Sequence, residues 1–215
     1  MKNGLIKVWR DYRGFALFVV LMIIFRSALA DWNVVPTGSM KPTILEGDRI
    51  FVNKLAYDFR VPLAHVSIYK FADPKRGDIV IFDSKLADTR LVKRVIGLPG
   101  DTVEMRDNRL IINGIEARYS NVEYAADATF AIESYDSMSH RIELAGGSRL
   151  STFGPVRVPN DRYLVLGDNR DNSADSRVYG FIPRDEIVGN ARTVVLSLNY
   201  DHYYMPRVDR FFHAL

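Results

Sequence analysis

The chain contains no cysteine, so disulfides, thiolate zinc sites and a cysteine nucleophile are excluded together. Histidine is scarce. His65, His140, His202 and His213 show neither metal-ligand spacing nor a partner pattern, and read as solvated or capping residues. No metal site is expected. A G-x-S-x-G elbow is also missing, so a Ser-His-Asp triad has no support. The formal charge of +3 sits entirely in the first 13 residues, where Lys2, Lys7, Arg10 and Arg13 stand against Asp11. The neutral remainder has no basic block, which gives nucleic acid no footprint. There is no internal repeat and no low-complexity tract.

What is present is apolar and aromatic: 47% hydrophobic and 12% aromatic residues over 215 positions are enough for one well-cored domain or two small ones. The longest uncharged apolar run is Gly14 to Phe25, GFALFVVLMIIF, followed by Arg26 and the small or apolar Ser27 to Ala30. At 1.5 Å per residue, 14–30 covers roughly 25 Å, near the lower limit for a spanning helix. Arg26 can snorkel and Trp32 suits the interface. The basic residues in front predict a cytoplasmic N-terminus, 1–13, with everything after residue 30 outside. Two other readings compete with an anchor. A buried core helix leaves the basic flank unexplained. A cleavable signal matches Ala28-Leu29-Ala30, an A-x-A site, but places a charge where such signals rarely carry one. Under each of the two membrane readings the body, 31–215, is exported.

Beyond Trp32 the apolar pattern has period two, with turn signals between short runs, so the expected fold is mainly β, an antiparallel sheet core behind one transmembrane helix. Strands are predicted at Arg49–Asn53, Asp78–Asp83, Arg90–Ile96, Arg109–Ile112, Tyr163–Leu166 and Ile187–Leu198. Asn113-Gly114 marks a tight hairpin and Leu98-Pro99-Gly100-Asp101 a turn. The stretch 106–159 is more polar, with Gly146-Gly147 and scattered serines. It reads as a smaller inserted β cap on a core of 31–105 and 160–215, or as long polar loops. At the end, Val208, Phe211 and Phe212 have helical spacing and predict a short amphipathic helix.

For chemistry, Ser39 stands in a Pro/Gly/Thr-rich stretch. Gly38 clears its approach, and Pro36 and Pro42 stiffen the flanks. On local composition alone, a serine bonding its own backbone is the better reading. With histidine out of the question, a neutral lysine is the available base, which requires desolvation to lower its pKa from about 10.4. Lys93 is best placed. The two-residue period of Leu91-Val92-Lys93-Arg94-Val95-Ile96 sets it on one face with Leu91 and Val95, and Arg94 on the other. The competing reading is an edge-strand lysine whose head reaches water. Lys41 and Lys54 have polar neighbours and read as solvated. Residues 167–177, GDNRDNSADSR, follow an apolar strand. They lack the twelfth-position glutamate of an EF-hand and hold two arginines, so a salt-bridged loop buttressing a site is preferred to a calcium loop.

The ordered segments PTGSMKPTI (36–44), EGDRIFVNK (46–54), RGDIVIF (76–82), LVKRVIGLPGD (91–101) and GDNRDNSADSRVYGFIP (167–183), behind a basic-fronted apolar run, resemble the bacterial type I signal peptidases. These are membrane-bound Ser-Lys endopeptidases that remove signal peptides from exported preproteins. The resemblance implies Ser39 as nucleophile and Lys93 as general base. It implies Ser173 as the serine that orients the lysine, and Asp175 with Arg177 as a supporting ion pair. The oxyanion donors would be the Ser39 amide and the hydroxyl of Thr37, a threonine where members often have serine. Val35, Met40, Ile44, Leu91 and Val92 would line apolar pockets for small residues before the scissile bond. The partners implied are exported preproteins and the lipid bilayer of the inner membrane, with no cofactor. A narrow-client Ser-Lys peptidase and a non-catalytic peptide-binding domain are the alternatives. Oligomeric state and the cap's function are left open by the sequence.

Overall fold

The computed structural model describes residues 2–61 and 66–215, without side chains for 2–11 and 28. His65 lies outside the described residues. Helix α1 (Lys2–Ala28) is continuous through the apolar run, and Phe15, Leu17, Phe18, Leu21 and Phe25 are exposed on it. Among the described residues no helix is long and apolar enough to cross a membrane.

The chain then enters strands. β1 (Ala30–Val34) pairs antiparallel with β2 (Asp48–Asn53), and β3 (Asp58–Arg60) with β4 (Ser67–Lys70) in a separate ribbon. β5 (Ile79–Ser84) and β6 (Thr89–Gly97) form a hairpin whose inner positions are nearly continuously apolar, as a strand covered on both faces requires. β7 (Thr102–Arg106), β8 (Arg109–Ile112), β9 (Ile115–Glu116), β10 (Arg118–Tyr124), β11 (Thr129–Tyr135), β12 (Met138–Leu144) and β13 (Phe153–Arg157) follow in succession. β14 (Arg162–Leu166), the one-turn helix α2 (Ser176–Tyr179), β15 (Ile182–Pro183), the long β16 (Ile187–Asn199), β17 (Met205–Pro206) and β18 (His213–Ala214) complete the order.

The main sheet runs β1-β2-β16-β5-β6-β14-β15, with β17 and β18 also paired to β16. The expected strands are all found, within two residues at each end. The polar stretch 106–159 is strand rather than loop. It supplies the three-stranded sheet β10-β11-β12 and three of the four strands of the sheet β13-β7-β8-β9. The hairpin at Asn113-Gly114 has φ of 51° and 80°, the left-handed pair that a two-residue turn demands. Met105, Leu110, Ile112 and Met138 from these smaller sheets share one apolar cluster with Ile96, Leu164 and Leu166 of the main sheet.

The C-terminal stretch departs from the expected amphipathic helix. It forms a single 3-10 turn, Val208–Arg210, between β17 and β18. Phe212 has φ of 53°, which no α-helix accommodates, and Val208 and Phe212 are exposed. The main-chain groups near the end are satisfied instead by pairing with Thr193 and Val194 of β16.

Candidate active site

β6 lies between β5 and β14 and is therefore central, not an edge. Val92 and Ile96 face one way and Leu91 and Val95 the other; Leu91 and Val95 share one apolar cluster, whereas Val92 and Ile96 pack into two others. Lys93 is 2% exposed, which rules out the reading in which its head reaches water. β14 pairs with β6 only as far as Leu166 opposite Arg94. The chain leaves β14 at Gly167, so the loop 167–175 is delivered directly beside Lys93.

Ser39 reaches the same point from the opposite side. Residues 37–43 form consecutive turns, closed by Lys41 N–H to Gly38 O at 3.0 Å and Ile44 N–H to Met40 O at 2.9 Å. The side chains of Met40 and Ile44 are buried beneath in the cluster with Ile50, Ile79 and Val194, so the turn is anchored by apolar packing. Asn169 secures its outer edge: its N–H donates to Ser39 O at 3.1 Å and its Nδ2 to Gly38 O at 3.2 Å. The result is a hydrogen bond of 2.7 Å between Lys93 Nζ and Ser39 Oγ, two residues 54 apart in sequence.

Burial is the main cause of the state of Lys93. It drives the amine down from 10.5 to about 8, against the opposing pull of Asp175 and Asp168. An amine of this strength is half neutral near pH 8 and lies in hydrogen-bond contact with the Ser39 hydroxyl. The cleft above the pair, about 500 Å³, is lined by Thr37, Leu91, Lys41, Glu46, Glu143 and Asn172 among others.

Gly167 makes the close approach possible. A Cβ there would lie 2.4 Å from Ser39 O and 2.2 Å from Ser173 Oγ, so only glycine fits between the two serines. Ser173 is buried, but its hydroxyl has no hydrogen-bond partner among the described residues. The expected bond from Ser173 to the lysine is thus not formed; the Lys93 amine is engaged by Ser39 instead. Asp175 and Arg177 do pair, at 2.7 and 2.8 Å. Arg177 also donates to Leu150 O at 2.9 Å and Arg170 O at 2.6 Å, and Asp175 accepts from Gly167 N–H at 3.0 Å. The pair therefore braces both ends of the loop.

Thr37 is exposed at the cleft rim. Of the five residues expected to line pockets, Leu91 lines the cleft, whereas Val35, Met40 and Ile44 are buried core and Val92 packs against them.

Three groups were not legible in advance. Arg94 grips Asp168 through two bonds of 2.8 and 2.7 Å, and Thr43 adds a third of 2.5 Å. Arg94 and its companions hold the Asp168 carboxyl below its ordinary range despite burial. Arg170, fully buried, makes two bonds of 2.6 Å to Glu133 of β11, which Tyr119 also serves at 2.7 Å. His140 sits between these two pairs, 3.7 Å from Glu133 and 3.6 Å from Asp168. It is buried, not solvated, and burial pushes its pKa down to about 4. Lys54, also expected in solvent, is buried as well. Lys41 meets Glu46 at 3.5 Å on the surface. The salt-bridged character of 167–177 is legible in the sequence; the partners on β6 and β11 are not, because no local pattern encodes a contact between distant strands.

The comparisons agree on one family. The signal peptidase family, peptidase S26, matches residues 9–196. Signal peptidase I of Pseudomonas fluorescens is 35% identical, over 84% of this chain and 69% of the relative. Signal peptidase I P of Bacillus subtilis subsp. natto is 36% identical over 86% and 88%, and signal peptidase I of Bacillus licheniformis 36% identical over 92% of each. The crystal structure of a signal peptidase I from Enterococcus faecalis V583 aligns with 56% of this chain and 97% of that one, at 32% identity and a TM-score of 0.37. The chain belongs to the S26 signal peptidases, a family of serine endopeptidases.

Proposed function

We propose that this endopeptidase removes signal peptides from exported preproteins at A-x-A sites, with Ser39 as nucleophile and Lys93 as its base. The observation that carries the assignment is the 2.7 Å contact between a cleft-facing hydroxyl and a buried amine whose pKa is depressed to about 8. Neutral Lys93 takes the Ser39 proton as Oγ attacks the scissile carbonyl carbon. The negative charge developing on the carbonyl oxygen is met by the Ser39 N–H and the Thr37 hydroxyl. The tetrahedral species collapses, Lys93 returns its proton to the leaving amine, and an acyl ester remains on Ser39. Water then gives a proton to Lys93 and attacks the ester; as the ester C–O bond breaks, Lys93 returns that proton to Ser39 Oγ, and the signal peptide leaves as an acid that ionises in solvent. Asn169, Asp175 and Arg177 hold the reacting pair in register. Leu91 and the apolar floor below the turn favour small side chains before the cut.

The helix α1 belongs to the same reading. Its exposed apolar side chains between Phe15 and Phe25, behind a basic front, support insertion into the bilayer with the residues after Ala30 on the outer side of the inner membrane. The division of 31–215 into a core and a cap of about 106–159 is part of the proposal as well. The test is incubation of the detergent-solubilised chain with a preprotein whose signal ends in A-x-A, alongside Ser39→Ala. Product from the parent chain alone supports the reading; product from both, or from neither, overturns it.

A further inference from the structure

Lys54 takes no part in the chemistry above, yet it is a buried cation at the junction of helix and sheet. Its side chain is 8% exposed, and its amine donates to Arg26 O at 2.7 Å and Ser27 O at 3.3 Å. These carbonyls lie in the last turn of α1, where no following helical N–H reaches them. A cation there also meets the negative end of the helix dipole. The main-chain N–H of Lys54 donates in turn to Leu29 O at 3.1 Å. One residue thus engages three of the four carbonyls at 26–29. Asp31 completes the junction, 3.7 Å from the Lys54 amine and doubly bonded to the Arg26 guanidinium at 3.1 and 2.7 Å. The switch from helix to strand has no slack, because Ala30 already pairs with Asn53. The A-x-A stretch 28–30 is consequently built into this junction rather than held out as a cleavable loop.

Lys54 is equally fixed on its other side. At Gly189 of β16 a Cβ would lie 2.4 Å from Asn53 O and 3.1 Å from the Lys54 Cα, so main chain packs directly on main chain. β16 pairs with β5, and β5 pairs with β6, where Val80 faces Lys93. Arg90, three positions before Lys93, lies in the same charge cluster as Lys54 and Asp31 and is held by Asp83 at 2.7 and 3.0 Å. An apolar side chain would fill this site at lower desolvation cost, but it would leave the last turn of α1 free to swivel. Directed N–H donors define an angle.

We propose that Lys54 is a positioning residue that fixes the direction in which α1 leaves the catalytic sheet, and with it the height and tilt of the Ser39 cleft over the bilayer. The inference rests on the function proposed above. A preprotein presents its cleavage site at a depth set by its own apolar segment, so tilting the cleft impairs presentation while the Ser39–Lys93 chemistry is unchanged. A short soluble peptide reaches the cleft at any tilt.

The experiment reconstitutes the full chain, Lys54→Met and Lys54→Arg into phosphatidylethanolamine–phosphatidylglycerol vesicles. Each is assayed on a preprotein inserted in the same vesicles and on a short soluble A-x-A peptide. Lys54→Met is expected to lose about tenfold or more on the preprotein while staying within about twofold on the peptide. Lys54→Arg, which retains the donors, recovers most of the preprotein rate. Parallel loss on both substrates, with a lowered melting temperature, means a merely structural lysine and overturns the proposal, as does no loss on either. A parent chain inactive on both substrates, or an active Ser39→Ala, refutes the functional reading instead.

Discussion

Lys93 and Arg94 are neighbours on β6 and both are buried, yet they are compensated in opposite ways. Arg94 meets the Asp168 carboxylate in a two-bond grip, whereas Lys93 meets a neutral hydroxyl at 2.7 Å. The strand alternation that separates them lets one sheet hold a permanently charged brace on one face and a titratable base on the other.

The first expectation is kinetic. With Lys93 depressed to about 8, kcat/KM on an A-x-A peptide should rise with pH through that value and level off above it. A profile measured from about pH 6 to about pH 10 that stays flat, or that falls across this range, removes Lys93 as the base.

A second concerns stability. The folded-state pKa of Lys93 lies below its ordinary 10.5, so the unfolded chain binds more protons between about 8 and 10.5, and stability rises with pH across that window. At neutral pH the buried site therefore costs about 3 kcal/mol relative to an uncharged side chain. Lys93→Met should raise the denaturation midpoint at pH 7, with the gain shrinking toward pH 10. Equal melting of the two proteins at pH 7 speaks against a desolvated amine.

The sequence disclosed the sheet-rich body and the two residues proposed to react better than it disclosed their support. Period-two apolar runs located β2, β5, β6, β8, β14 and β16 because each buries alternate or successive residues against a neighbouring layer. Lys93 announced itself by an apolar face. His140 and Lys54 did not, because their burial comes from strands far away in sequence, and polar neighbours along the chain imply solvent only when the chain is at the surface. The end of the chain misled for a related reason: helical spacing of Val208, Phe211 and Phe212 counted for less than the open pairing positions on β16.

Third, Gly167→Ala should act on the reaction without touching a reacting atom. Its methyl would fall 2.4 Å from Ser39 O and 2.2 Å from Ser173 Oγ, so the nucleophile turn must shift. Activity should drop about 100-fold or more, with stability lowered by about 1–3 kcal/mol. An alanine variant with parental kcat would show that the two serines need not approach so closely.

Fourth, Arg94→Ala strands Asp168 as a buried, uncompensated carboxylate beside His140, and should cost about 3–5 kcal/mol in denaturant unfolding. Replacing the pair together, Arg94→Met with Asp168→Leu, should recover part of that loss. If the double variant is no more stable than the single one, the grip on Asp168 is not what the fold relies on.

β12 touches the loop 167–175, which in turn holds the turn carrying Ser39. The Glu143 N–H donates to Asp168 O at 2.9 Å, and Glu143 bridges Asn169, whose own amide holds Ser39 O. Glu133 of β11 is the partner of Arg170 one residue further on. The segment between β7 and β14 is for this reason no detachable ornament. A chain without β11 and β12 would need another clamp for the loop 167–175 and, through it, for the turn that carries Ser39.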